Sequence, residues 1–190
     1  MVQPAPVEPR YTSQTYFDLV ETGVLRASDR VELLEGVIVA MSPQSPPHAA
    51  ATSQVDRALR EAAGRRAAIR VQLPFVAGGH SVPEPDVAVV PGTEADYATA
   101  HPTTALLIVE VADSSLLQDR LTKTAIYAAA AVPEYWIINL RDDCVEVFRT
   151  PDAGTRSYRD THVARRGQSI QIVGLAAAGV QVDDLLPSLK

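Results

Sequence analysis

The chain has 190 residues, of which 46% are apolar, enough to bury one good core, so a single domain is expected. A net charge of −6 excludes a broad, non-specific nucleic-acid surface, although an acidic balance is natural around a cation site. The single cysteine, Cys144, excludes an internal disulfide and reads as a strand residue of a protein in a reducing compartment. No charged-then-apolar leader and no apolar run of about 18 residues is seen, so a cytoplasmic protein without membrane contact is expected.

Residues 1–11, rich in proline, read as a loose N-terminal arm, and 12–190 as the domain. Thr12-Ser13 caps a short amphipathic helix carrying Tyr16, Phe17, Leu19 and Val20 and closed by Gly23. Arg30–Met41 reads as a β-hairpin about Glu35-Gly36. Ser45 followed by Pro46-Pro47 opens a helix that runs to Ala63 and stops at Gly64. Arg65, Arg66 and Arg70 form the most basic local cluster. Ile69–Phe75 and Asp86–Val90 are expected strands, divided by a Gly78-Gly79 turn, and 91–103 is a loop.

The apolar run Ala105–Val109 reads as a central strand covered on both faces, and it ends in Glu110, between Val109 and Val111. Ser115 with Gln118 forms a capping box for a helix over Leu116–Ala131, stopped by Val132-Pro133. Glu134–Leu140 and Cys144–Phe148 pair across Arg141–Asp143. Short strands follow at Ser157–Val163 and Ser169–Ile172, then a turn near Asp183–Leu186. The pattern is that of an α/β or α+β domain with a mixed sheet.

Glu110 is the residue hardest to explain structurally, because a carboxylate within an apolar strand is expensive unless a cation or a partner compensates it. Asp86, at the start of a neighbouring strand, either begins that strand or converges with Glu110 on a hard cation. Together with the carbonyl of Val111, these carboxylates would leave open positions for water and a phosphate oxygen on Mg²⁺ or Mn²⁺. Glu35 would add a further contact. Lys123 would help to deprotonate an attacking water, burial lowering its pKa. The alternative for Lys123 is a surface ion pair with Asp119. The stripe Leu117, Leu121, Ala125, Ala128 turns Lys123 away from the sheet, whereas Leu116, Ile126 and Tyr127 lie on the other face; which one packs stays open. His48 approaches a phosphate or is simply exposed. Arg65 and Arg66 meet a phosphate backbone or end a solvated helix. Tyr135 and Trp136 are core or a subunit contact, the strand around Tyr135–Ile138 extending or covering a sheet edge.

Taken in order, LLEGVIVAMSP, PEPDVAVV, LIVEVADSS, Asp119, Lys123 and AVPEYWIINL resemble the bacterial restriction-endonuclease-like family, a domain of unknown function placed in the PD-(D/E)XK nuclease superfamily. The resemblance spans Thr12 to Leu186. It implies a mixed central sheet flanked by helices, with a metal site at its centre. Asp86 is similar to the aspartate of the PD motif, Glu110 to the second acid, and Glu35 to the early glutamate of many superfamily members. The lysine two residues beyond the second acid is replaced here by Ala112, and the resemblance puts Lys123 in that role. It implies a Mg²⁺- or Mn²⁺-dependent endonuclease acting on DNA, working as a homodimer. The alternative is a catalytically inactive module that binds nucleic acid or a protein partner.

Overall fold

The computed structural model describes residues 11–176 and 178–188, so nearly all of the expected N-terminal arm lies outside the described residues. Helix α1 (Ser13–Glu21) is held at its start by a reciprocal bond between Thr12 and Thr15, and it lays Tyr16 against Leu33 and Val82. The strands β1 (Val31–Leu34) and β2 (Val37–Ala40) form the expected hairpin. Its two turn residues, Glu35 and Gly36, both have positive φ (50° and 77°). That is the geometry whose twist matches the flanking strands.

Helix α2 (Pro46–Ala63) begins and ends where capping chemistry places it, between Ser45 and Gly64. Proline is harmless at its first two positions because the first turn has no carbonyl to donate to. The central sheet has six strands in the order β3-β4-β5-β6-β7-β8, namely Ala67–Val71, Val87–Pro91, Leu107–Ala112, Glu134–Asn139, Cys144–Asp152 and Ser157–Arg165. Only β5 and β6 run parallel. Their connection is helical: α3 (Leu116–Gln118), a π-helical segment (Asp119–Lys123) and α4 (Thr124–Ala129). A two-stranded ribbon of β9 (Ser169–Gln171) and β10 (Gly179–Gln181) leads into a final turn of helix, α5 (Val182–Leu185).

One face of the sheet packs Val87, Val109, Trp136, Ile138 and Val147 against α2, α5 and the ribbon. The other packs Ala88, Ile108, Tyr135 and Ile137 against α4 and Phe75. This is the mixed sheet flanked by helices that the sequence implies. Several boundaries differ. β3 ends at Val71 because Gln72 turns to φ 51°, its N–H shared between the carbonyls of Pro85 and Asp86. β5 begins later and runs through Glu110 to Ala112, so Glu110 lies inside the strand. The Ser115–Gln118 capping box does not form, since the Ser115 hydroxyl donates to Asp119 Oδ2 instead, at 2.6 Å. β10 has no counterpart in the sequence reading. The strand around Tyr135–Ile138 lies between β5 and β7 and is fully buried, so it neither extends nor covers an edge of the sheet.

The C-terminal ribbon is tied to the sheet by Glu134, which is fully buried. Its Oε1 accepts from Trp136 Nε1 and Arg149 Nε, both at 2.9 Å, and its Oε2 from the Val173 N–H at 2.8 Å. Removing this carboxylate leaves the Trp136 and Val173 N–H donors unpaired and takes from Arg149 its counter-charge, leaving it the Gln171 carbonyl. Breaking a buried pair by removing one partner costs about 3–5 kcal/mol. Glu134→Ala is therefore expected to lower stability by that amount in urea unfolding followed by circular dichroism.

Candidate active site

Three separate segments bring carboxylates to one end of the sheet. Val87 stands opposite Val109, and the same register carried one residue further sets Asp86 opposite Glu110, on the same face. Asp86, at the entrance to β4, is buried, with 8% of its surface exposed. Glu110 is buried as a member of β5, with 3% of its surface exposed. Glu32, the second residue of β1, is equally enclosed at 4%.

Lys123 joins them. Its Nζ lies 3.0 Å from Glu110 Oε1 and 3.4 Å from Glu32 Oε2, and only 6% of the residue is exposed. The helix thus turns Asp119, Lys123 and Tyr127 inward, while Leu117 and Leu121 remain largely exposed. This resolves the two faces left open by the sequence, and the surface ion pair between Asp119 and Lys123 is not what forms. The π-helical segment, a widening often found at functional sites, ends on Lys123 itself.

These side chains border an open cleft of about 110 Å³, which also takes in Arg30, His48, Glu84, Val111, Asp113 and Ser115. Asp86 is held on both oxygens. Oδ2 accepts from the Val111 N–H at 2.8 Å and faces His48 Nε2 at 3.3 Å, and Oδ1 accepts from Gln72 Nε2 at 3.2 Å. The N–H and C=O of one strand residue point to the same side, so the Val111 carbonyl is directed toward β4 as well. His48 stands in the first turn of α2, with Nδ1 3.4 Å from the Thr52 hydroxyl.

The electrostatics follow from one ammonium shared among several carboxylates. Burial alone would lower the pKa of Lys123, but Glu110, Glu32 and Asp119 reverse this and hold it charged, above its ordinary range. The expectation that burial leaves Lys123 easily deprotonated is thereby corrected. Burial pushes Glu110 up to about 8, with Asp86, Asp119 and Glu32 adding to the rise against the pull of Lys123. Burial likewise raises Asp119 to about 6. Asp86 moves the other way: its burial is outweighed by His48, the Val111 N–H and Lys123, which keep it ionised. His48 is correspondingly raised, Asp86 outweighing its desolvation. Burial outweighs the pull of the one lysine at both Glu110 and Asp119, and groups that interact this closely titrate as a set.

The structure therefore brings Asp86, Glu110, Val111, Lys123 and His48 together. It does not bring Glu35, which sits exposed at the tip of the hairpin and pairs with Arg156. A residue in the turn has left the strand, so the inward position belongs to Glu32, three residues earlier. Arg65 and Arg66 lie beyond the far end of α2, roughly 27 Å along its axis from His48's end. Arg66 there donates to the carbonyls of Ala62, Ala63 and Ala176, a structural cap. Glu32, Glu84 and Tyr127 had no functional role in the sequence reading. The signal for Glu32 was present, since it too is a carboxylate among apolar strand residues.

The donors present suit a hard cation. Carboxylate and carbonyl oxygens are the ligands Mg²⁺ and Mn²⁺ take, and soft thiolates are absent from the cleft. Among the described residues no three His, Cys, Asp or Glu side chains are gathered closely enough to enclose an ion. The protein would supply part of a coordination sphere and leave the rest to water and substrate, as is usual for Mg²⁺.

The pattern of the Uma2 family, described as "Putative restriction endonuclease", matches residues 14–183. No curated protein matches the chain. Among crystal structures, "a putative nuclease belonging to DUF820" from Anabaena variabilis shares the fold with a TM-score of 0.71, over 92% of this chain and 97% of that one, at 18% identity. That likeness speaks for the fold. The family pattern runs from α1 into α5 and takes in every residue of the cleft, and the chain belongs to the Uma2 family.

Proposed function

We propose that this protein is a divalent-metal-dependent endonuclease that hydrolyses phosphodiester bonds in DNA. The observation that carries the reading is the buried ammonium of Lys123, set between Glu110 and Glu32 in the cleft that also holds Asp86. Family membership supports the nuclease class.

Asp86, Glu110 and the Val111 carbonyl would hold the ion, which when bound acidifies water and stabilises charge developing on a phosphate. The remaining roles belong to the chain itself. Lys123 stays protonated, so it acts as a donor: its ammonium orients the attacking water and faces the phosphate oxygens. The water's proton goes to a carboxylate of the cluster, and Glu32 is placed to stabilise the ammonium while this happens. His48, its pKa raised by Asp86, offers a second donor to the phosphate. The cleft sets six carboxylates (Glu32, Glu84, Asp86, Glu110, Asp113 and Asp119) against Arg30, Lys123 and His48. A polyanion is repelled from such a surface until a divalent cation enters. DNA binding and metal binding are thereby coupled. Cutting both strands of a duplex calls for two clefts, which a homodimer would provide.

Cleavage of single- and double-stranded DNA in Mg²⁺ and Mn²⁺ tests the reading. Asp86→Ala and Lys123→Ala are expected to lose at least about 10²–10³-fold in rate, the loss typical of removing one charge-stabilising group. Glu32→Ala is expected to follow them, and Glu35→Ala to retain wild-type activity. Equal cleavage by wild type and Lys123→Ala would overturn the reading. A wild type that binds DNA without cleaving it in either metal would leave the inactive binding module.

Metal affinity should also depend on pH in a defined direction. Glu110, raised to about 8, carries a proton at neutral pH and must lose it to become a ligand. Apparent Mn²⁺ affinity is expected to rise about tenfold per pH unit up to about pH 8 and then to level, with about one proton released per ion. Calorimetry in buffers of different ionisation enthalpy measures that proton directly.

A further inference from the structure

The two oxygens of Glu110 are held differently. Oε1 accepts from Lys123 Nζ at 3.0 Å and from the Tyr127 hydroxyl at 2.6 Å. Oε2 accepts from no described residue, yet it is not among the buried polar atoms lacking a partner, so it opens onto the cleft that Glu110 lines. A carboxylate pinned at one oxygen by two donors has its plane fixed, and with it the direction of the other oxygen.

Of the two donors, Tyr127 is the one able to keep its place when a cation arrives. Lys123 is shared with Glu32, is charged, and is driven away from a dication by direct repulsion. Tyr127 is neutral and fully buried, its ring packed at 5.0 Å from Tyr135 and 6.4 Å from Phe75. Its O–H donates to Glu110 Oε1 as a neutral phenol, with no charge for the cation to repel. It lies one helical turn beyond Lys123 on the same inward face, and its hydroxyl makes no other hydrogen bond among the described residues.

We infer that Tyr127 is a positioning residue, whose O–H holds Glu110 Oε1 so that Oε2 is presented to the metal ion. The inference rests on the metal-dependent reading of the cleft. It assigns to a residue on α4, outside the cleft lining, part of the affinity for the ion. Groups that hydrogen-bond a metal ligand typically contribute 10–100-fold to metal affinity.

Tyr127→Phe tests it, because phenylalanine keeps the ring in the same aromatic packing and removes only the donor. Mn²⁺ titrations of wild type and Tyr127→Phe by calorimetry, each with a non-cleavable DNA oligonucleotide, are read beside thermal unfolding of the metal-free proteins. The expected result is Mn²⁺ binding weakened by about 10–100-fold in Tyr127→Phe, with both proteins folded at the titration temperature. Tyr127→Phe that melts lower but binds Mn²⁺ as wild type does would show a merely structural hydrogen bond and overturn the inference alone. A wild type that binds no Mn²⁺ even with the oligonucleotide would overturn the metal-dependent reading and the inference with it.

Discussion

A lysine ammonium buried among carboxylates is the constraint around which the rest of the structure is arranged. Taking such a charge out of water is costly, and the attraction to its partners offsets the cost only when their geometry is good. The partners come from distant parts of the chain. Glu32 is delivered by the N-terminal hairpin, Glu110 by the middle of the sheet, and Lys123 by the crossover between the two parallel strands. Each element must be docked for the cluster to exist, and the two apolar layers on either side of the sheet supply that docking. The hairpin illustrates the dependence. It is not part of the six-stranded sheet, yet an isolated bridge between Leu33 and Val82 and the packing of Tyr16 hold it where Glu32 meets Lys123.

Two local backbone departures act on the same cleft. Gln72 adopts a left-handed conformation at the end of β3, and its side-chain amide reaches the Asp86 carboxylate. The helix after β5 widens into a π-helical segment over Asp119–Lys123. Both are conformations a chain avoids unless its surroundings enforce them. Here they steer donors onto the two carboxylates that the nuclease reading needs most, Asp86 and Glu110.

The periodic and capping signals made most of the fold legible: the hairpin, α2 from cap to stop, and the strands about Asp86, Glu110 and Trp136. Glu110 stood out for the physical reason that also explains its place, an ionisable group inside a strand covered on both faces. The same reasoning applied to VELL selects Glu32, whereas the family resemblance points to Glu35, which the structure holds exposed at the hairpin tip, outside the cleft. The face of the helix was not legible because leucine spacing argues for a buried stripe. Leu117 and Leu121 are nevertheless exposed, since the opposite face carries the lysine that the carboxylates require and the tyrosine that fills the core. Pairing partners such as Arg156 for Glu35, or Ala176 for Arg66, lie far away in sequence and leave no local trace.

The acidity of the cleft also bears on whether the scaffold is kept for catalysis or only for binding. A module that merely bound DNA would gain from basic residues along its cleft, because neutralised phosphates dominate such affinity. This cleft is dominated by carboxylates, one of which, Glu110, burial pushes up to about 8 in spite of the neighbouring lysine. A module that bound only a protein partner would have no use for the buried lysine, since replacing buried ion pairs by apolar residues of similar volume is often neutral or stabilising by about 1–4 kcal/mol. Both alternatives leave the cluster as an unexplained expense in stability. On the proposed reading a divalent cation would supply the missing positive charge, make the surface acceptable to a phosphate, and give the charged lysine an anionic substrate to face. The arrangement that is awkward for a scaffold is thus the one a metal-assisted hydrolase requires.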